Sequence, residues 1–325
     1  MAVRVAFNAY GGPEVLDLIN VTTPEPRPGE VRVRNEAIGL NFIDTYYREG
    51  LYAVSDFPAG LGGEGAGVVE AIGDGVDGVN AGDRVAYASI GRGAYADQLC
   101  IPASKLVHLP DSISCEEAAA ILLKGLTVQY LFRQTYPLKA GDTILFHAAA
   151  GGVGTVACQW AQALGVHLIG TVSTADKAAY AKQMGAWETV NYSCESVPER
   201  VKALTNGQGC PVVYDSVGKA TWEASLKCLK PRGLMVSFGN ASGAVTDVDI
   251  GVLNRHGALY VTRPSLKYYA DTPARLQAMC DELFALVDAG QINATPRNRF
   301  RLSEIRQAHK ALASRTLKGL HVLVP

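Results

Sequence analysis

No two of the seven cysteines stand in a C-x-x-C pair, and a chain of 325 residues can build cores without covalent bridges. A disulfide scaffold is not expected, and the thiols suit a reducing compartment. No stretch approaches the ~18 apolar residues of a membrane span, and the opening residues MAVRVAFNAYGGPE hold no apolar signal core. The expected location is cytoplasmic, with no membrane partner. Excess positive charge is missing too, the formal net charge being −1. That speaks against nucleic acid as a partner and for a small-molecule ligand. The histidines, at 108, 147, 167, 256, 309 and 321, show no metal-ligand spacing. His147, inside an apolar run, reads as a hydrogen-bonded core residue.

What is present is a change of pattern along the chain, without internal repeats or a low-complexity linker. Residues 1 to about 122 are β-rich: EVRVRNEAIGL alternates, and GAGVVEAIG and DRVAYAS are short strand-like runs separated by Gly or Pro. From about 123 to 265, strand-like TILFHAA, HLIGTVS, ETVNY, PVVYDSVG, GLMVSFG and LYVTRP alternate with helix-like segments. Such alternation predicts a parallel sheet with helices on both faces. The remaining residues hold the helix TPARLQAMCDELFALVDAG and a short strand GLHVLVP, which is expected to rejoin the first domain. The fold class expected is α/β. A β-rich domain takes residues 1–123 and 266–325, and a doubly wound domain takes 124–265.

The stretch FHAAAGGVGTVACQW joins the first strand of the alternating region to its first helix. Gly151, Gly152 and Gly154, with Val153 among them, lack the side chains that would keep a pyrophosphate from main-chain N–H groups at a helix start. Against G-x-G-x-x-G the run departs at its first position, so Ala149 must take the turn without a positive φ. The plain alternative is a tightly packed strand-to-helix turn. One strand later, an NAD site usually ends in Asp or Glu. Here the strand ends in Ser173 and Thr174, with Lys177 on the next turn and Tyr192 closing the third strand. Hydroxyls and an ammonium suit a 2′-phosphate, so NADPH is the expected coenzyme. Asp176 is the contrary sign, and a solvated Lys177 is the plain alternative.

The segments GLNFIDTYYREGLY, GLGGEGAGVV, AGDRVAY, AAAGGVG and VVYDSVG together resemble the medium-chain dehydrogenase/reductase superfamily. Within it, LKGLTVQYL, FHAAAGGVG, SFGNASG and YVTRPSL resemble the zinc-independent, ζ-crystallin-like NADPH:quinone oxidoreductases of bacterial type. The resemblance runs over essentially the whole chain. It implies a split GroES-like catalytic domain, a Rossmann coenzyme domain, an active site in the cleft, and a homodimer paired through the last coenzyme-domain strand at 259–264.

The zinc-dependent branch places a Cys where this chain has Asn41 and a His where it has Gly63 before Glu64. Its cysteine-rich structural lobe is missing as well, since only Cys100 and Cys115 fall in that region. Neither zinc nor flavin is expected. Without a Lewis acid, ordinary ketone or alcohol chemistry lacks a stabiliser for alkoxide charge, whereas a quinone yields a delocalised hydroquinone anion. Candidate catalytic donors are Asn41, Tyr46, Tyr52, Lys124 and Thr127. A neutral tyrosine can donate a hydrogen bond and stack on a flat ring. Tyr47 belongs to the same loop, and core packing is the alternative reading for Tyr46 and Tyr47.

Further coenzyme contacts are implied by the resemblance alone. Asn41, Phe42, Ile43, Asp44, Thr45 and Tyr46 would meet the nicotinamide half with Thr127 and Tyr130. Gly151, Gly152 and Val153 would hold the pyrophosphate, while Ser173, Thr174, Lys177 and Tyr192 surround the 2′-phosphate. Val217, Gly239, Asn240, Ala241, Ser242, Pro264, Ser265 and Leu266 would line the nicotinamide and ribose, with Arg315 and Lys318 as cations from the C-terminal region. The expected function is NADPH-dependent quinone reduction. One alternative reduces the C=C bond of an enone or alkenal; another is an NADPH- or RNA-binding protein with little catalysis.

Overall fold

The computed structural model describes residues 1–325. The chain divides into two compact units, one of Met1–Leu126 with Ala270–Pro325 and one of Thr127–Tyr269. The first opens with β1 (Ala2–Phe7), β2 (Asp17–Val21), the long β3 (Glu30–Gly39) and a short helix α1 (Ile43–Glu49). There follow β4 (Ala59–Gly60), β5 (Glu64–Ile72), β6 (Arg84–Ala88), β7 (Gln98–Pro102), β8 (Leu106–His108) and α2 (Cys115–Gln129).

β3 shows how sequence becomes sheet. Val31, Val33, Asn35 and Ala37 are buried on one face while Arg32, Arg34 and Glu36 face outward, as a period of two requires. The alternation then ends, and Ile38, Gly39 and Leu40 are buried in succession where the strand dives into the core. Register shifts between Arg32 and Val33 and between Asn35 and Ala37 bend β3 against β5. The buried Asn35 amide donates to the Ala94 and Ala96 carbonyls at 3.1 and 2.8 Å and accepts from the Tyr87 hydroxyl at 2.8 Å, so its burial leaves no polar atom unmet.

In the second unit a π-helical turn, Tyr130–Thr135, continues α2. Then come β9 (Thr143–Phe146), α3 (Gly152–Ala163), β10 (His167–Val172), α4 (Ala175–Gln183), β11 (Glu188–Asn191) and α5 (Val197–Leu204). The second half holds β12 (Cys210–Asp215), α6 (Trp222–Lys227), β13 (Leu229–Ser237), α7 (Gly251–Arg255) and β14 (Tyr260–Thr262). The strands form one parallel sheet in the order β11-β10-β9-β12-β13-β14. That order reverses direction between β9 and β12, the point at which doubly wound sheets bind ligands at strand C-termini. All six residues of β12 are buried, as expected for a strand covered on both faces.

The chain returns to the first unit through α8 (Pro273–Asp288), β15 (Asn298–Arg301), α9 (Ile305–Ala313) and β16 (His321–Val324). β16 pairs antiparallel with β3 and parallel with β15, so the last strand completes the sheet β15-β16-β3-β5-β6-β8. Leu302, Ile305, Ala308 and Leu323 from this return enter the same core as Val5, Phe7, Leu40 and Leu61. Each buried leucine or isoleucine among them contributes about 1.5–3 kcal/mol, which ties the return to the first unit without any bridge.

Candidate active site

The glycine turn is built by a close main-chain approach. Ala148, not Ala149, takes the left-handed conformation, with φ of 57°. A Cβ on Gly154 would collide with the Ala148 carbonyl and the Ala149 main chain, so no other residue fits at the third glycine. The α3 helix starts after Gly151 without a side-chain cap, leaving its first N–H groups aimed outward for an anion.

Behind the turn lies a buried file of hydrogen bonds. The Ala148 N–H meets Thr171 Oγ1 at 3.3 Å, Thr171 Oγ1 and His147 Nδ1 lie 3.0 Å apart, and His147 Nε2 and Ser225 Oγ lie 2.9 Å apart. Ser225 donates to Asp215 Oδ2 at 2.8 Å. Since a carboxylate only accepts, the donors run one way: Thr171 hydroxyl to Nδ1, Nε2–H to Ser225, Ser225 to Asp215. Burial lowers the His147 pKa and favours the neutral imidazole, whose Nδ1 accepts from Thr171. Its ring ties the glycine turn to the C-terminal end of β12.

At the end of β10, Thr174 caps α4 by accepting the Lys177 N–H at 3.2 Å. The Lys177 ammonium meets Ser173 Oγ at 3.2 Å, and Ser193, absent from the expected set, donates to the Ser173 carbonyl at 2.9 Å. Tyr192, half exposed, donates its main-chain N–H to Val172 at 3.1 Å. These residues form one polar group at the strand ends.

Val217 and the 239–242 run are likewise brought together. Ser242 donates both its N–H and its hydroxyl to the Val217 carbonyl at 2.8 Å, and Ala241 N–H reaches Ser216 at 3.2 Å. Asp215 Oδ1 anchors the Val217 and Gly218 N–H groups at 2.7 and 2.9 Å. Arg263 clamps the same loop through the Ser237 and Gly239 carbonyls at 2.9 and 3.1 Å, and Pro264, Ser265 and the buried Leu266 follow it directly. Tyr130 stacks on Tyr269 with centroids 4.7 Å apart, and burial pushes its hydroxyl pKa up.

In the first unit the organising group is Glu64, a residue the sequence reading did not single out. Its buried carboxylate accepts from Asn41 Nδ2 at 2.7 Å, Lys124 Nζ at 3.1 Å and the Leu123 N–H at 2.6 Å. Lys124, expected to face substrate as a donor, is itself buried, and its ammonium pairs with this carboxylate. Gly39 makes the room, because a Cβ there would overlap the Glu64 carboxylate. Asn41 N–H donates to Asp44 Oδ2 at 3.1 Å, which fixes the start of α1, and Thr45 Oγ1 donates to the Phe42 carbonyl at 2.7 Å.

Phe42, Tyr46, Tyr52 and Tyr47 form a continuous row of edge-to-face rings with centroids 5.3–5.7 Å apart. Ile43 stands exposed on the same helix, whereas Arg315 is exposed just after α9. Thr127 is the first residue of the second unit. No three His, Cys, Asp or Glu side chains come together to hold a metal ion. Glu64 is surrounded by an amide, an ammonium and a main-chain N–H, a set of donors that does not fit zinc.

A GroES-type β unit joined in one chain to a doubly wound sheet with this glycine turn is the architecture of the medium-chain dehydrogenases and reductases. Family models agree: residues 27–111 match the alcohol dehydrogenase GroES-like domain and residues 152–280 match the zinc-binding dehydrogenase family. A quinone oxidoreductase of Pseudomonas aeruginosa is 62% identical over 325 residues, covering 100% of both chains. The crystal structure of Escherichia coli quinone oxidoreductase complexed with NADPH is 52% identical, with a TM-score of 0.98 over 99% of this chain and 100% of that one. A 2-haloacrylate reductase of a Burkholderia species is 40% identical over 334 residues, 100% of this chain and 99% of the other. The chain belongs to the bacterial quinone oxidoreductases of the medium-chain dehydrogenase/reductase superfamily.

Two buried histidines and one buried carboxyl of the first unit are displaced within the acid-to-neutral range and shape the response of the fold to acid. Burial, aided by Arg48, lowers His309 to about 3, and burial, aided by Lys124 and Arg297, lowers His321 to about 4. Unfolded histidines titrate near 6.5, so the stability each contributes is complete above that pH and is lost as pH falls toward the folded value. Asp44, raised to about 7 by burial, acts oppositely: its contribution is complete below about pH 4 and is lost as pH rises through 7. Two histidines outweigh one carboxyl. Melting temperature is expected to fall between pH 6.5 and 4, and His321→Gln, which removes about 2–3 kcal/mol of this dependence, should flatten the fall in calorimetric scans. A variant with the wild-type slope would show that His321 does not carry it.

Proposed function

We propose that this enzyme reduces quinones with NADPH and that its own side chains, without a metal, organise the acceptor. The observation that carries the coenzyme reading is the Lys177–Ser173 pair, 3.2 Å apart, at the end of β10. A 2′-phosphate there would gain an ammonium and hydroxyls. Ser173, Thr174, Lys177 and Tyr192 would take that phosphate, and Gly151, Gly152 and Val153 would take the pyrophosphate at the uncapped start of α3. When bound, NADPH supplies the hydride.

The protein's part is to hold and to donate. Asn41, Phe42, Ile43, Asp44, Thr45 and Tyr46, with Thr127, Tyr130, Val217, residues 239–242, Pro264, Ser265 and Leu266, would bear on the nicotinamide half, and Arg315 would add a cation. Asn41 and Lys124 are fixed by Glu64, yet an amide nitrogen carries two hydrogens and an ammonium three, so each retains donors beyond that contact. The Tyr46 and Tyr52 rings offer a stacking face and hydroxyls for a flat acceptor. Charge developing on a quinone oxygen is delocalised, and hydrogen bonds at this strength match that requirement.

We further infer a homodimer joined along β14. Its residues end the six-stranded sheet, and Tyr260 is 63% exposed beside Val261 at 40%, an apolar edge open to a second copy. Seven unbridged cysteines fit a reducing, cytoplasmic location.

Lys177→Ala should raise the Kd for NADPH tenfold or more, about the value of one charge-assisted hydrogen bond, and leave that for NADH unchanged in fluorescence titration. Equal losses for both coenzymes would remove the 2′-phosphate reading. The kinship with a 2-haloacrylate reductase favours one second reading, conjugate reduction of an activated C=C bond. A panel of benzoquinones, naphthoquinones and alkenals is expected to show NADPH oxidation with the quinones; turnover of alkenals alone would transfer the assignment.

A further inference from the structure

We propose that Asp44 is a positioning residue for Asn41, and that a buried file of hydrogen bonds, Arg48 to His309 to Tyr95 to Asp44, governs how firmly it holds. The proposal rests on the reading that Asn41 faces the reacting groups.

The file crosses the first unit from α9 to the start of α1. Arg48 Nη1 lies 2.9 Å from His309 Nδ1, His309 Nε2 lies 3.3 Å from the Tyr95 hydroxyl, and Tyr95 donates to Asp44 Oδ2 at 2.8 Å. All four residues are buried. A guanidinium has no acceptor, so Nδ1 must accept, Nε2 must carry the proton, and the Tyr95 hydroxyl must point at Asp44. The direction of every bond is set by the arginine at its far end. Arg48 is itself fixed by the Gly11 carbonyl at 3.0 Å and by Glu49. Room for the Tyr95 ring comes from Gly62, whose φ is +84° and whose Cβ would overlap that ring.

Both donors to Asp44, the Tyr95 hydroxyl and the Asn41 N–H, meet the same oxygen, Oδ2. A proton taken up by the carboxyl therefore goes to Oδ1 and weakens both bonds without breaking the geometry. The charged and titratable groups around Asp44 are Arg48, Tyr47 and Glu49 on its own helix, Tyr95 before β7, His309 on α9, Glu64 on β5 and Lys124 on α2. Burial dominates and raises the carboxyl to about 7, against the Tyr95 and Asn41 bonds and Lys124, which lower it. His309, lowered to about 3, stays neutral throughout, so the file keeps its direction across the working range. Ionised Asp44 grips the Asn41 main chain, and protonated Asp44 grips it less. Quinone kcat/KM should accordingly fall as pH drops through 7.

The test uses the full-length protein labelled with carboxyl-13C aspartate and 15N, the Asp44 resonance being the one that Asp44→Asn removes. In the wild type the Asp44 carboxyl and the Asn41 amide are expected to titrate together near neutrality. Tyr95→Phe, which removes a donor to the carboxylate, should move both upward by about 1–2 pH units, with the kcat/KM limb following. His309→Leu should produce a smaller upward shift. His309→Gln should restore the wild-type profile, because a glutamine oxygen can accept from Arg48 while its NH2 donates to Tyr95. A role confined to packing would change stability without moving any of these midpoints. The proposal is overturned if the wild-type carboxyl titrates in the ordinary aspartate range, if the Asn41 amide does not follow it, or if the kinetic limb stays fixed while the carboxyl shifts. Should no quinone be reduced at all, the functional reading fails separately, and the wild-type carboxyl and amide titrations still decide the inference.

Discussion

A carboxylate shut away from water at the start of β5 is the constraint on which the first unit depends. Glu64 cannot be left unpaired: removing one partner from a buried ion pair typically costs about 3–5 kcal/mol. Its oxygens are met from two directions, by Asn41 after β3 and by Leu123 and Lys124 on α2. The strand end and the helix are thereby locked to one point, and Gly39 must remain without a side chain to let the carboxylate in. The position of Asn41, and of the aromatic row that follows it, is a consequence of where that negative charge is neutralised.

The two units solve a similar problem with the same device. Each buries a histidine in a file of hydrogen bonds that passes through hydroxyls and has at one end a group that only donates or only accepts. In the second unit Asp215 fixes the direction through Ser225 and His147 to Thr171, ending at the glycine turn. In the first unit Arg48 fixes it through His309 and Tyr95, ending at Asp44. Burial keeps both imidazoles neutral by penalising their charged form. A histidine in such a file orients neighbours without exchanging charge with solvent.

Much of the fold was legible because it is written in local periods. The alternation in EVRVRNEAIGL marked β3, the run PVVYDSVG marked a strand buried on both faces, and the glycines at 151, 152 and 154 marked a close main-chain approach. The Ser173–Lys177 pair was legible too, since four residues along a helix start bring the two side chains together. What escaped was non-local. Glu64 lies 23 residues from Asn41 and 60 from Lys124, and Arg48 lies 261 from His309, so no pattern in the chain announces those contacts. The pairing of Lys124 with Glu64 went unforeseen because a lysine beside a glycine in LKGLTVQY gives no hint of a carboxylate waiting to pair with it. The left-handed residue at Ala148 was missed for another reason: alanine carries no sequence signal for a positive φ, which the surrounding hydrogen bonds impose.

If hydrogen-bond donors around Glu64 take the place of a metal ion, as the proposed function requires, turnover must survive the removal of zinc. The direct test is to assay NADPH-dependent naphthoquinone reduction on protein dialysed against a strong chelator while its zinc content is measured by mass spectrometry. Full turnover with zinc far below one ion per chain is the predicted result. Activity that vanishes on chelation and returns with stoichiometric Zn²⁺ would contradict the account.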